Sequence, residues 1–182
     1  FGPPGAGKGT QAKHLIKKLN NFQISTGDIL REEINKDTDI GKKIINNMND
    51  GKFVEDEIVN KLLEKIMFDS KKKNKLIFDG YPRTINQVKN LENLLNKSNQ
   101  KIDYIFFLNV NKDSIIERIE KRKILEKRSD DDAETILKRY DTYMEVTKPV
   151  LDFYSSRDNF YEIDGSLEIE VISDKIDQII SV

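Results

Sequence analysis

The chain carries the stretch GPPGAGKGT at residues 2–10, and this stretch decides the fold class. Its glycines let backbone N–H groups turn inward toward a polyphosphate, and a helix beginning near Lys8 directs its positive end at the same point. Lys8 can then reach the β- and γ-phosphates, and Thr10 can orient Mg²⁺ or a phosphate oxygen. The general pattern has Ser or Thr directly after the lysine, where this chain has Gly9. The alternative is a glycine-rich turn with an exposed lysine. Gly2, Gly7 and Lys8 keep the spacing of the motif and a helix follows, so phosphate binding is favoured.

The rest of the chain alternates apolar runs with longer helical patterns, which indicates βαβ units and a parallel sheet. A phosphate loop follows a strand of about five or six residues, so we expect a strand before Gly2 with Phe1 as its last residue. The segment 25–54 holds helical patterns and no strand, so we expect a small lobe there. Strands are predicted at 22–24, 76–78, 104–110 and 160–163. Helices are predicted at 8–19, 28–35, 38–49, 55–68, 84–95, 112–122, 131–146, 150–156 and 168–180.

Composition narrows the function classes. The 182 residues suit one α/β domain, and Lys+Arg 31 nearly balances Asp+Glu 32, so no overall basic field favours nucleic acid or an anionic membrane as partner. The chain has no cysteine, which excludes disulfides and cysteine-ligated zinc and fits a reducing interior. No apolar run approaches the roughly 18 residues of a spanning helix, and no signal peptide precedes the first motif. We therefore expect a cytoplasmic protein.

An acidic strand end is followed by an arginine. Asp79 closes the buried run 76–79, and in a doubly wound sheet that end faces the ligand crevice. Asp79 can hold a water of Mg²⁺ there, because this ion keeps several waters; the alternative is a helix or turn cap. The sequence GYPR at 80–83 then places Arg83 just past the strand, where its guanidinium fork suits a phosphate. The arginine so close to Asp79 favours ligand binding by both residues, with Asp79 holding a water of Mg²⁺ and Arg83 binding a phosphate.

Seven segments extend this pattern over essentially the whole chain. They are GPPGAGKGTQ (2–11), ISTGDILR (24–31), GKFV (51–54), FDGYPRTINQ (78–87), ERIEKR (117–122), KRSDD (127–131) and RYDTYMEVTKPV (139–150). Together, in this order and spacing, they resemble the adenylate kinase family. The resemblance implies a P-loop α/β three-layer fold with a five-stranded parallel sheet, a helical AMP-binding insertion and a short lid. It implies a single domain with its core at 1–24, 55–120 and 132–182, the AMP-binding lobe at 25–54 and the lid at 121–131.

The resemblance also implies an AMP site. Thr26 would contact the adenine, and Gln87 would read its edge, since an amide offers both donor and acceptor. Related uridylate and cytidylate kinases usually carry Ala and Asn at these two positions, so both residues favour AMP. Without the resemblance, Thr26 would be interpreted as a helix cap and Gln87 as a surface helix residue. The implied AMP-binding residues are Thr26, Arg31, Lys52, Phe53, Val54, Gly80, Tyr81, Pro82, Arg83, Gln87, Arg128 and Arg139.

Later arginines match those that hold ATP and the transferring phosphoryl group. Arg118 and Arg122 lie four residues apart on one helix face, and Arg139 projects from a later helix. Phosphoryl transfer needs positioning and charge stabilisation, which converging arginines supply; the alternative is ion pairing with carboxylates at 117, 120 and 130–132. The implied catalytic residues are Lys8, Arg83, Arg118, Arg122, Arg128 and Arg139. The implied ATP-binding residues are Gly5, Ala6, Gly7, Lys8, Gly9, Thr10, Arg118 and Arg122. The implied metal contacts are Asp79, through a water, and Thr10.

The resemblance implies the reaction ATP + AMP ⇌ 2 ADP, which serves purine nucleotide homeostasis. We expect Mg²⁺ dependence without zinc, direct in-line transfer without a phospho-enzyme, and a monomer whose partners are ATP, AMP and ADP. Three alternatives stay open. One is a kinase for UMP or CMP, another is a nucleotide-binding switch that hydrolyses ATP slowly, and the third is an inactive kinase. A kinase predicts two nucleotide sites, whereas a switch predicts one.

Overall fold

The structure is a computed structural model that describes residues 1–36, 38–50, 52–68, 75–126 and 133–181. All four predicted strands are found, each within two residues of its expected ends. The strands are β1 (Phe22–Ser25), β2 (Leu76–Asp79), β3 (Ile105–Asn109) and β4 (Phe160–Asp164). The helices are α1 (Lys8–Leu19), α2 (Thr26–Asn35), α3 (Asp39–Asn49), α4 (Asp56–Met67), α5 (Ile85–Ser98), α6 (Lys112–Glu126), α7 (Ala133–Thr142), α8 (Lys148–Ser155) and α9 (Ile169–Ile180). No helix in these ranges is both long and apolar enough to cross a membrane.

The strands pair in parallel, as predicted, but as two separate pairs. Phe22 of β1 lies opposite Leu76 of β2, and Ile105 of β3 opposite Phe160 of β4. Between β2 and β3 lies a cavity of about 810 Å³ that both strands line, so these two strands do not pair. The carbonyl of Phe1 accepts a 2.8 Å hydrogen bond from the Leu108 N–H, on the edge of β3 that β4 leaves open. The five-stranded sheet is therefore not confirmed among the described residues.

Helices pack against each strand pair and enclose two main apolar clusters. Ile115 and Ile119 of α6 and Ile176 of α9 are almost fully buried beside β3 and β4. A second cluster joins β1 and β2 to α3, α4 and α5, and includes the fully buried Ile44 and Leu63. Apolar residues three or four apart form these clusters, because that spacing places them on one helix face. The lobe helix α2 packs against β1 and α4, and α3 packs against α2.

The predicted single helix at 131–146 is wrong beyond Thr142. A π-helical turn, Tyr143–Thr147, joins α7 to α8, and the Lys148 N–H bonds to the Tyr143 carbonyl, five residues back. Pro149 explains the wider turn, because proline lacks an N–H and its ring would clash with the preceding turn of a regular helix. The helix α6 also continues to Glu126, past its predicted end, so the first part of the predicted lid is helical. The predicted start of the helix at 131–146, Asp131, lies outside the described residues.

Candidate active site

The phosphate loop, residues 2–10, connects Phe1 to α1. Gly5 and Gly7 have φ of 79° and 91°, the left-handed region that favours glycine. A Cβ on Gly5 would also lie 2.9 Å from a side-chain carbon of α6. The Lys8 ammonium folds back over the loop and donates hydrogen bonds to the carbonyls of Gly2 at 2.8 Å and Pro3 at 3.0 Å. The loop is thus a closed turn with its lysine already in place.

Positive charge converges on Lys8. Burial lowers the pKa of Lys8 from 10.5 to about 8, although the Asp79 carboxylate acts in the opposite direction. The charges of Arg83, Arg139 and Arg122 lower this pKa further, so these three arginines lie near the loop. Mutually repelling cations in one place are stabilised by a bound anion, and a polyphosphate is the anion that this loop geometry suits.

Asp79 ends β2 beside the first turn of α1. Its Oδ2 accepts a 2.9 Å hydrogen bond from Gln23 Nε2 and lies 3.5 Å from the position that a Cβ on Gly9 would take. Thr10, on the same turn of α1, is exposed. Sequence reasoning missed Gln23, because the parallel pairing of β1 with β2 brings it to Asp79 from 56 residues away. No group of three or more His, Asp or Glu side chains suited to a metal occurs in the part of the chain described.

A second site, the lobe cavity, lies between the lobe helices and the start of α5. Nine of the twelve residues predicted to bind AMP line it, so the structure brings together segments separated by more than 100 residues. The nine residues are Thr26, Arg31, Lys52, Phe53, Val54, Gly80, Arg83, Gln87 and Arg139. Tyr81 lies in the apolar core instead, and Pro82 follows it through a cis peptide bond. Arg128, the twelfth, lies outside the described residues.

Gly80 holds Thr26 and Arg83 in the wall of the lobe cavity. Its carbonyl accepts hydrogen bonds from Thr26 Oγ1 at 2.8 Å and Arg83 Nε at 2.7 Å. Thr26 is 4% exposed and is not the cap of α2, because Ser25 accepts the Asp28 N–H at 3.3 Å in that role. The interpretation of Thr26 as a helix cap is therefore wrong.

Three arginines, Arg31, Arg83 and Arg139, line the lobe cavity from different elements. The Arg83 guanidinium carbon lies 5.1 Å from the centre of the Phe53 ring. Burial, followed by the charge of Arg139, lowers the pKa of Arg83 to about 10. Arg31 pairs with Asp28 and folds across Gly27, where a Cβ would lie 3.0 Å from Arg31 Nη2.

Gln87 is buried, not a surface residue of its helix. It is 3% exposed, its Nε2 donates to Asp56 Oδ1 at 2.7 Å, and its Oε1 accepts the Arg83 N–H at 2.8 Å. Thr84 caps α5 by accepting the Gln87 N–H at 3.0 Å. Sequence reasoning missed Asp56, although it follows the GKFV segment by two residues and begins α4.

A third cavity, the loop cavity, lies between the phosphate loop and the lobe cavity. Lys8, Arg83 and Arg139 line it, together with Tyr143 and Thr147 of the π turn. Arg83 and Arg139 also line the lobe cavity, so the two cavities share a wall of positive charge. The Ser166 hydrogen bonds lower the pKa of the Asp164 carboxyl after β4, and the charge of Arg118 adds a smaller effect, so Arg118 lies near the end of β4.

A family model described as adenylate kinase matches residues 1–159. The chain belongs to the adenylate kinase family. The adenylate kinase of Pelagibacter ubique is 48% identical over 208 residues, covering 100% of this chain and 98% of that protein. The adenylate kinase of Mycoplasma capricolum is 40% identical over 190 residues, covering 90% and 88%. The adenylate kinase of Caulobacter sp. strain K31 is 39% identical over 182 residues, covering 100% and 96%. The seven motifs thus identified the adenylate kinase family correctly.

Proposed function

We propose that the chain is an ATP:AMP phosphotransferase that catalyses ATP + AMP ⇌ 2 ADP. Its membership of the adenylate kinase family supports the reaction. The observation that carries the proposal is that Arg83 and Arg139 line both the loop cavity, with Lys8, and the lobe cavity, with Gln87. Two nucleotides that exchange a phosphoryl group must meet phosphate to phosphate, and cations shared by two cavities suit that meeting point. A switch with one nucleotide site would not require the second cavity.

ATP occupies the phosphate loop in this proposal. Backbone N–H groups at the start of α1 face its phosphates, and Lys8 exchanges its two carbonyl hydrogen bonds for phosphate oxygens. Arg118 and Arg122 of α6 complete the ATP side, and Arg128, which lies outside the described residues, is assigned to the same group. The charge of Arg122 at Lys8 supports its part in this group.

AMP occupies the lobe cavity. Thr26 and Gln87 contact its adenine, and Arg31 and Arg83 bind its phosphate. An oxygen of that phosphate attacks the γ-phosphorus of ATP in line, and the bond from this phosphorus to the β–γ bridging oxygen breaks. The acceptor is already an anion, so the step needs no general base. Lys8 and the arginines stabilise the charge that spreads over the transferring oxygens, and such stabilisation is usually the largest catalytic contribution.

The residues near the loop also fit a divalent cation. Adenylate kinases act on nucleotides with such an ion, generally Mg²⁺, which keeps most of its waters and takes few protein ligands. The Asp79 carboxylate, held by Gln23, and the exposed Thr10 hydroxyl are a donor set of that kind. Mg²⁺ bound with ATP would neutralise part of the charge on the phosphates. Asp79 would hold a water of the ion, and Thr10 would bind the ion or a phosphate oxygen.

The finer architecture belongs to the same proposal. The core comprises residues 1–24, 55–120 and 132–182, and the lobe 25–54 and the lid 121–131 close over the nucleotides. The 810 Å³ cavity between β2 and β3 has room for a fifth parallel strand that leads into Phe1 and unites the two pairs. We propose a monomer that works in the cytoplasm.

Two measurements test the proposal. A coupled steady-state assay with MgATP compares AMP, GMP, UMP and CMP as acceptors, and AMP should have the highest kcat/KM; a preference for UMP or CMP would defeat the assignment. Calorimetry with two adenosines joined through five phosphates measures both sites together. A two-site kinase binds this compound far more tightly than ATP, whereas a one-site switch binds the two alike.

A further inference from the structure

The Asp56 carboxylate connects the beginnings of two helices. Asp56 is the first residue of α4, and it accepts three hydrogen bonds from the cap and first turn of α5. Its Oδ2 accepts hydrogen bonds from Thr84 Oγ1 at 2.8 Å and from Asn86 Nδ2 at 3.2 Å. Its Oδ1 accepts a hydrogen bond from Gln87 Nε2 at 2.7 Å. The carboxylate therefore lies directly behind the amide that lines the lobe cavity.

This contact determines which way the Gln87 amide points. An ionised carboxylate only accepts hydrogen bonds, so the group of Gln87 that faces Asp56 must be its NH₂. The Arg83 N–H only donates, so the group that faces it at 2.8 Å must be the amide oxygen. Flipping the amide would turn its oxygen toward a carboxylate and its NH₂ toward an N–H. Gln87 is 3% exposed, so water could not compensate for the two lost bonds.

The fixed amide leaves one N–H and one oxygen lone pair for a ligand. A 6-aminopurine such as adenine presents an N–H donor beside a ring-nitrogen acceptor, which is the complementary pair. A 6-oxopurine presents an oxygen acceptor beside an N–H donor and pairs only with the flipped amide. We propose that Asp56 is a positioning residue that fixes the orientation of the Gln87 amide and thereby makes the enzyme prefer a 6-aminopurine over a 6-oxopurine monophosphate. This inference rests on the proposed function, in which Gln87 contacts the base of the acceptor.

Asp56→Asn tests the inference with little change in shape. An Asn side chain both donates and accepts, so it no longer requires the NH₂ of Gln87 on its side. The measured quantity is the ratio of kcat/KM for AMP to kcat/KM for IMP, with MgATP as donor. We expect the variant to lower this ratio by about 10-fold or more, because a mispaired buried polar group is what rejects the wrong ligand. The change should come from a higher KM for AMP and a lower KM for IMP.

Controls separate this role from a structural one. Asn86→Ala removes one hydrogen bond to Asp56 without touching Gln87, and should leave the ratio within about twofold of wild type, as expected for an exposed surface change. Asp56→Glu keeps an acceptor-only carboxylate and should retain most of the preference. Damage to the fold alone would lower kcat/KM for AMP and IMP together and leave their ratio unchanged. If Asp56→Asn does not fold, Asp56→Ser, which suits a first helical turn, carries the same test.

The outcomes distinguish this inference from the proposed function. A wild-type enzyme that does not phosphorylate AMP, or a Gln87→Ala variant that keeps the wild-type ratio, would overturn the proposed base contact and the inference with it. An active wild-type enzyme whose ratio depends on Gln87 but not on Asp56→Asn would overturn the role of Asp56 alone. A lowered ratio in Asp56→Asn with Asn86→Ala unchanged supports it.

Discussion

Gly80→Ala should impair catalysis far more than it impairs folding. Gly80 has φ of 77°, and a Cβ there would lie 2.8 Å from Arg83 Nη2 and 3.0 Å from Thr26 Oγ1. The left-handed backbone costs an alanine about 1–2 kcal/mol. For a domain of this size that corresponds to a fall in Tm of about 2–8 °C. The new methyl group also displaces the Arg83 guanidinium, and a misplaced charge-stabilising donor costs about 10²-fold in kcat.

The assay measures kcat and KM for AMP, with Tm from thermal melting. Asn99→Ala is the matched control, because Asn99 is exposed at the end of α5 and has φ of 52°. It should lose a similar amount of stability, about 1 kcal/mol, and keep wild-type kinetics. If Gly80→Ala retained wild-type kcat and KM, the close approach of Gly80 to Arg83 and Thr26 would have no catalytic role.

Three further predictions concern Lys8, Arg83 and Gln23. Lys8 has a lowered pKa of about 8 in the free enzyme. The kcat/KM for ATP should therefore fall as pH rises through about 8, since the neutral amine no longer attracts phosphate. A pH profile that stays flat through that range would contradict this prediction. Arg83→Ala should lower kcat by about 10²-fold or more; an unchanged rate in the same assay would remove Arg83 from the site. Gln23→Ala removes the 2.9 Å hydrogen bond to Asp79; a Mg²⁺ titration of activity should show a midpoint about 10-fold higher, and an unshifted midpoint would show that Gln23 does not orient Asp79.

The helices and strands followed from local spacing, with instructive exceptions. Apolar residues at helical spacing, such as Ile115 and Ile119, predicted α6 because one helix face must be buried. The π turn at Tyr143–Thr147 was missed, since the apolar pattern continues through it and only Pro149 signals the change. The pairing of β1 with β2 and of β3 with β4 was not predicted, because strand spacing along a sequence does not state which edges pair.

The sequence by itself determined the family, the phosphate loop with Lys8, and most of the residues around the lobe cavity. It could do so because these residues lie within short sequence motifs, and the residue types and spacing in each motif indicate their function. Only the tertiary structure joined Gln23 to Asp79 and Asp56 to Gln87, over separations of 56 and 31 residues. It also placed Arg83 and Arg139 in the wall that two cavities share. Hydrogen bonds between distant segments depend on strand register and helix packing, and the local sequence does not determine either property.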